Sequence, residues 1–267
     1  MSSADAEQPR PLIASDRPLG QSPFAPQPPA VEHYRPPRLG IIHLLAWTAA
    51  TAVLLKYNLA LEMVRDFDVT GPEKMFHQAS NLIHSMVFGA GMVGLGVLLL
   101  ARARGPVGRL QPGHWIVIID TAAAVAGFAF VAVHTWVTSV WLDSDSLWWV
   151  LFVVIGAIRI SRAGLYTIAL WRSRDGKCWR VCLGVSAACG MIEGLFYFAV
   201  AGGMSFRPWA MSLLALHIVL GAVLLLAFSL DLRSGLRRDW LHWLGAGMLA
   251  ACGLLNVMWQ VYITWFA

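Results

Sequence analysis

Seven separate runs of about twenty or more mostly apolar residues, at 39–61, 79–101, 115–141, 147–171, 179–203, 208–230 and 240–266, decide what this chain can fold into. A helix rises ~1.5 Å per residue, so each run is long enough to cross the ~30 Å hydrocarbon core of a bilayer. Lipid offers no water to an open backbone, which leaves the α-helix as the form such runs take. Composition agrees: 58% of the 267 residues are hydrophobic and only 13% are charged, too little charge to cover a soluble domain of this size. The expected fold class is all-α, a polytopic membrane protein with a seven-transmembrane-helix bundle over 39–267.

Residues 1–38 hold nine of the thirteen prolines and show no apolar periodicity, the pattern of a disordered cytoplasmic tail. They contain no basic start followed by an apolar run, so no signal peptide is expected. The connections between runs set the orientation. Arg35 and Arg38 precede the first run, and Arg102, Arg104 and Arg109 follow the second. Arg172, Arg174 and Lys177 follow the fourth, and Arg233, Arg237 and Arg238 the sixth. The alternate connections carry Asp66, Asp68, Glu73, Asp143 and Asp145, with Arg65, Lys74 and Arg207 as their basic residues. The positive-inside rule then predicts a cytoplasmic N-terminus and an outside C-terminus. The net charge of +5 is an orientation signal spread over loops. The lipid bilayer is therefore an expected partner and nucleic acid is not.

The run from Trp148 to Trp171 places Arg159 and Arg162 inside apolar sequence. A helix stopped before Arg159 would be too short to span, so Arg159 lies near mid-membrane, with Arg162 on the same face. An unpaired charge there costs ~2.5–3.5 kcal/mol or more, so partners are expected. Depth arithmetic supplies them. Glu193 lies ~21 Å above the cytoplasmic interface and Arg159 ~18 Å, on consecutive antiparallel helices. Asp120 lies ~8 Å and Arg162 ~14 Å above it, within the reach of a long arginine. The expected ion pairs are Arg159–Glu193 and Arg162–Asp120. They either fix helix register or serve ligand or proton handling. Gly190 and Gly194, beside Glu193, let a neighbouring helix approach closely.

Further polar residues fall toward the outer half: His84, His134, His217, Asn256 and Gln260. With Arg159 and Glu193 as its floor, this group reads as an outward-facing intramembrane pocket that binds or transports a small polar ligand. A different reading makes the protein a haem- or metal-binding membrane redox protein. His134 and His217 then hold haem b or a transition metal, since neutral imidazole suits iron, copper and zinc. In a third, each histidine satisfies one hydrogen bond between helices. Cys178 and Cys182, one turn apart, have no clear His or Cys partner nearby and read as small packing residues. The sequence contains no Walker loop, GxSxG or HExxH, so no catalytic residue is assigned.

Ser80-x-x-x-His84 on the second run resembles part of the zinc-dependent membrane hydrolase superfamily that includes adiponectin-receptor-like and alkaline-ceramidase-like proteins. That superfamily also needs an Asp on its third span and a His-x-x-x-His on its last. Here Asp120 falls on the cytoplasmic side and the last run has only His242, followed by WLGAG. The zinc set is incomplete, and that activity is not carried over. The Pro-rich tail running into RPPRLGIIHLLAWTAATAVLL (35–55) is similar to the lead-in to the first helix of many uncharacterised multi-pass membrane proteins of planctomycete bacteria. That resemblance covers about twenty residues; it implies a multi-pass protein of the bacterial cell inner (cytoplasmic) membrane and no particular activity.

Overall fold

A computed structural model describes residues 39–65, 72–104, 110–141, 148–173, 176–204, 207–235 and 238–265. The tail at 1–38 lies outside the described residues, as do Asp66, Asp68, Arg109, Asp143, Asp145, Arg174 and Arg237 among the charges that set the expected orientation. The described residues form seven helices: α1 (Ile41–Arg65), α2 (Pro72–Ala103), α3 (Pro112–Trp141), α4 (Trp148–Arg172), α5 (Lys177–Ala201), α6 (Arg207–Ser234) and α7 (Trp240–Trp265). They contain no strand. Six of the helices, α2 to α7, are long and apolar enough to cross a membrane, which fits a multi-pass membrane protein.

Seven spans are expected, and among the described residues six helices are long and apolar enough to cross; α1 carries Lys56, Tyr57 and Asn58 within its apolar run. Two of these turn toward other helices. Tyr57 OH donates to the Phe128 carbonyl of α3 at 3.4 Å, and Asn58 Nδ2 to Ser85 Oγ of α2 at 3.1 Å. α2 also differs from the expected 79–101, since it starts at Pro72. Proline suits the first helical position, where its missing N–H costs nothing. Phe76 in the added turns stacks on Tyr262 and Trp259 of α7, at 5.4 and 6.0 Å between ring centroids.

The main packing closes α3, α4, α5, α6 and α7 into a ring, each against the next and α7 back against α3. α2 sits on the seam between α3 and α7, and α1 packs on α2. Small residues allow the closest approaches. A Cβ at Gly194 would lie 2.9 Å from the Gly156 carbonyl oxygen, and one at Gly190 3.2 Å from the Arg159 carbonyl, so this pair seats α5 on the α4 backbone. Gly113 of α3 and Gly245 of α7 likewise leave no room for a side chain, which brings α3 against the start of α7. Large apolar side chains such as Leu99, Leu225, Leu226, Ile218 and Leu254 are exposed on the outside. The buried set includes Asp120, Glu193, His217, Asp231, Asp239 and His242. An apolar exterior, with the charged groups kept inside among apolar packing, is what a bilayer solvent selects.

Candidate functional site

All five ring helices contribute polar groups to the interior. On α4, Arg159 Nη1 lies 3.1 Å from Glu193 Oε2 of α5, and Arg162 Nε donates to Asp120 Oδ1 of α3 at 2.8 Å. Arg162 Nη1 is also 3.9 Å from Glu193 Oε2, so the two pairs join into one cluster. Tyr166, one turn beyond Arg162, donates its hydroxyl to the same Asp120 Oδ1 at 2.8 Å. On α6, His217 Nε2 lies 3.1 Å from Glu193 Oε1, while its Nδ1 is 2.8 Å from the Leu213 carbonyl oxygen.

A cavity of about 280 Å³ opens beside this cluster, its wall including Arg159, Arg162, Asp120, His84, Asn256 and Tyr197. A water occupies ~30 Å³ of liquid, so the space matches about nine waters or one small ligand. Two features of the wall matter for binding. The Arg159 side chain is 33% exposed, against 11% for Arg162, 9% for Glu193 and 3% for Asp120, so Arg159 is the ionised group most open to the cavity. Asp120 Oδ2 is buried behind the wall with no hydrogen-bond partner among the described residues, so the Asp120 charge is felt in the cavity without offering it an exposed acceptor. His84 joins the wall with Nδ1 2.9 Å from the Ser80 carbonyl and its ring stacked 5.8 Å from Phe88. A far smaller space, about 10 Å³, lies behind, between Glu193, His217, Ser186, Cys189 and Asn256.

Depth arithmetic assigns Asp120 and His84 to opposite halves of the membrane, yet they line one cavity. Helices of 30 and 32 residues run ~45 Å or more, longer than the hydrocarbon is thick, so distance from a helix end is a poor depth marker on α2 and α3. His134 and Gln260 are not among the residues that line either space. His134 sits beside Phe130 on its own helix, with ring centroids 5.9 Å apart, and Gln260 is buried in α7. The expected haem pair of His134 and His217 does not fit. The main packing does not join α3 to α6, and both ring nitrogens of His217 already have protein partners. No group of three or more His, Cys, Asp or Glu among the described residues is placed to hold a metal ion. Cys182 and Cys189 are buried, and all four cysteines are free thiols.

A second polar cluster, at one end of the ring, is absent from the reading of the sequence as a site. His114 Nε2 lies 2.8 and 3.0 Å from the two carboxylate oxygens of Asp239. Asp239 caps α7 by accepting the His242 backbone N–H at 2.9 Å. His242 Nδ1 accepts the Gly113 N–H at 3.1 Å, and its Nε2 faces Asp231 Oδ2 at 3.4 Å. Asp231 Oδ2 also accepts Trp179 Nε1 at 2.8 Å and Arg238 Nε at 2.9 Å. Burial pushes the Asp239 carboxyl upward, but the hydrogen bond from His114 and the His242 backbone N–H outweigh it and hold it below the usual carboxylate range. The available signal was an Asp immediately before an apolar run, the mark of a helix cap.

Comparison with protein-family models, curated proteins and solved structures returns no match to this chain.

Proposed function

We propose that this protein binds a small polar ligand in the cavity beside Arg159 and carries it across, or senses it within, the cytoplasmic membrane. The cavity wall carries the proposal: it brings a third-exposed arginine, His84 and Asn256 to one half-open space beside the buried charges. Intramembrane charges that only fix helix register have no need of a cavity beside them. In this reading α1 spans as a seventh helix, which puts the N-terminus in the cytoplasm and the C-terminus outside, as the loop arginines favour. The bacterial cytoplasmic membrane follows from the resemblance of residues 35–55 to planctomycete membrane proteins.

A thermal-shift screen of the purified chain against small carboxylates, amines, sugars and nucleosides tests the pocket. A ligand at 100 times its Kd should stabilise by about 2.7 kcal/mol. Gly127 lines the cavity and a Cβ there meets nothing within 4 Å, so a side chain can start at this position and Gly127→Phe is the variant to occlude the space. That variant should keep its own Tm and lose every ligand shift. A screen in which no compound raises the wild-type Tm, or in which Gly127→Phe responds like wild type, removes the pocket from the account.

A further inference from the structure

We propose that the cavity takes a small monocarboxylate anion together with one proton, the proton being held between His217 and Glu193. This rests on the ligand-pocket reading above and adds the ligand's charge and its coupling.

The inference starts from hydrogen positions. A carbonyl oxygen can only accept, so His217 Nδ1, 2.8 Å from the Leu213 carbonyl, carries a hydrogen. A neutral imidazole has one N–H, and that one is spent. His217 Nε2 nevertheless lies 3.1 Å from Glu193 Oε1, and a carboxylate oxygen is also acceptor-only. Without a further proton, two lone pairs would face each other at hydrogen-bond distance. The contact requires either imidazolium against carboxylate or imidazole against carboxylic acid. In both forms the pair carries no net charge.

Charge counting follows. The ionised groups facing the pair are Arg159 and Arg162 on α4 and Asp120 on α3. The other titratable groups around it are Cys189 and Tyr197 on α5, Tyr166 on α4 and Cys252 on α7; these thiols and phenols are neutral in the ordinary pH range. His84 of α2, across the cavity, has its Nδ1 hydrogen on Ser80 and adds no negative charge. Two arginines against one aspartate leave one positive charge over. A lone charge in the middle of a membrane bundle is unfavourable, and two events remove it: the proton leaves, or a monoanion enters beside Arg159. Anion and proton therefore favour each other's binding, each by the same factor.

The wall narrows the anion. A planar guanidinium matches a carboxylate through two parallel hydrogen bonds. Asp120 in the same wall works against a dianion. Phe88, Phe128, Val131, Ile155 and Ile158 supply an apolar surface for a short alkyl or aryl body.

The test is titration calorimetry of the purified full-length chain with benzoate and propionate, and with benzamide and propionamide as neutral counterparts. Each titration is run in two buffers of different ionisation enthalpy, so that protons taken up are counted. The acids should bind and the amides should not. At alkaline pH about one proton should be taken up per benzoate, with Kd weakening about tenfold per pH unit. Glu193→Gln keeps a donor for His217 Nε2 and leaves the cluster positive at every pH. It should bind benzoate with a flat pH profile and no proton uptake. The wild-type proton count alone decides the matter if that variant does not fold. Benzoate binding without proton uptake, or benzamide binding as tightly as benzoate, overturns the proposal and leaves the pocket standing. The same holds if none of the four probes binds while an uncharged compound raises Tm in the screen. Silence in both assays removes the pocket and this proposal together.

Discussion

The bundle holds two histidine–carboxylate clusters, and they differ in what touches Nδ1. At the ring end, backbone N–H groups point at the rings: Gln111 N–H at His114 Nδ1 (3.3 Å) and Gly113 N–H at His242 Nδ1 (3.1 Å). Each Nδ1 is then an acceptor and each Nε2 keeps its hydrogen: His114 gives its own to Asp239, while His242 Nε2 faces Asp231 Oδ2 at 3.4 Å with no hydrogen-bond partner among the described residues, so neither ring needs a further proton. At the centre a backbone carbonyl faces His217 Nδ1 instead, and the Glu193 contact at Nε2 needs a proton beyond the neutral ring. The same residue types thus make a fixed hydrogen-bonded brace in one place and a proton-holding site in the other. The central one has a cavity beside it.

If the end cluster is a brace, removing its hub should cost the most. Asp231→Ala strips a partner each from Trp179, His242 and Arg238, whose side chain is only 8% exposed. The expected loss is about 3–5 kcal/mol, read from denaturation in detergent, with benzoate affinity in the surviving folded fraction unchanged. Glu193→Gln should reverse that pattern. It gives up the Arg159 ion pair but keeps an amide against His217, so the stability loss should be about 1.5–3 kcal/mol, and the proton linkage should disappear. A central variant more destabilising than Asp231→Ala would mean that the centre is also a brace.

How much of this contrast could be read from the chain follows from which forces act within one helix and which act between helices. Span length is a property of a run, so six spans stand near their expected bounds. The ring of α3 to α7 is not readable, because which faces meet depends on glycine contacts such as Gly113 with Gly245. Matching depths along consecutive antiparallel helices gives Arg159 with Glu193 and Arg162 with Asp120, the separations of 3.1 and 2.8 Å seen in the structure. The arithmetic fails where helices overrun the membrane, as α2 and α3 do. It also pairs His217 with His134 for want of any view of α6 against α5. Asp231 lies one residue past the expected end of the sixth run, so the ring-end cluster is missed there.

Acid separates the two clusters more gently. The folded Asp239 carboxyl is held below its unfolded value of ~3.9, so its contribution is fully present above about pH 5 and is lost as pH falls through 4 toward the folded value. Thermal stability measured from pH 6 down to about pH 3 should therefore fall at the acid end. Asp239→Asn should be less stable than wild type at neutral pH and should show a shallower acid loss. Equal acid slopes in the two proteins would mean that the His114–Asp239 bond is not what the acid breaks.

The smallest effect is expected at His134, and it sharpens the comparison from the other side. This histidine lies on α3 outside both cavities, against Phe130, and belongs to neither cluster. His134→Phe should leave benzoate affinity and proton uptake as they are, whatever it does to stability. The haem reading predicts the opposite, because an axial ligand cannot be replaced by phenylalanine without loss of the haem's absorption band. A Soret band in the purified wild type that vanishes in His134→Phe would therefore move the functional centre from the His217–Glu193 proton to a pair of histidines that the present packing keeps apart.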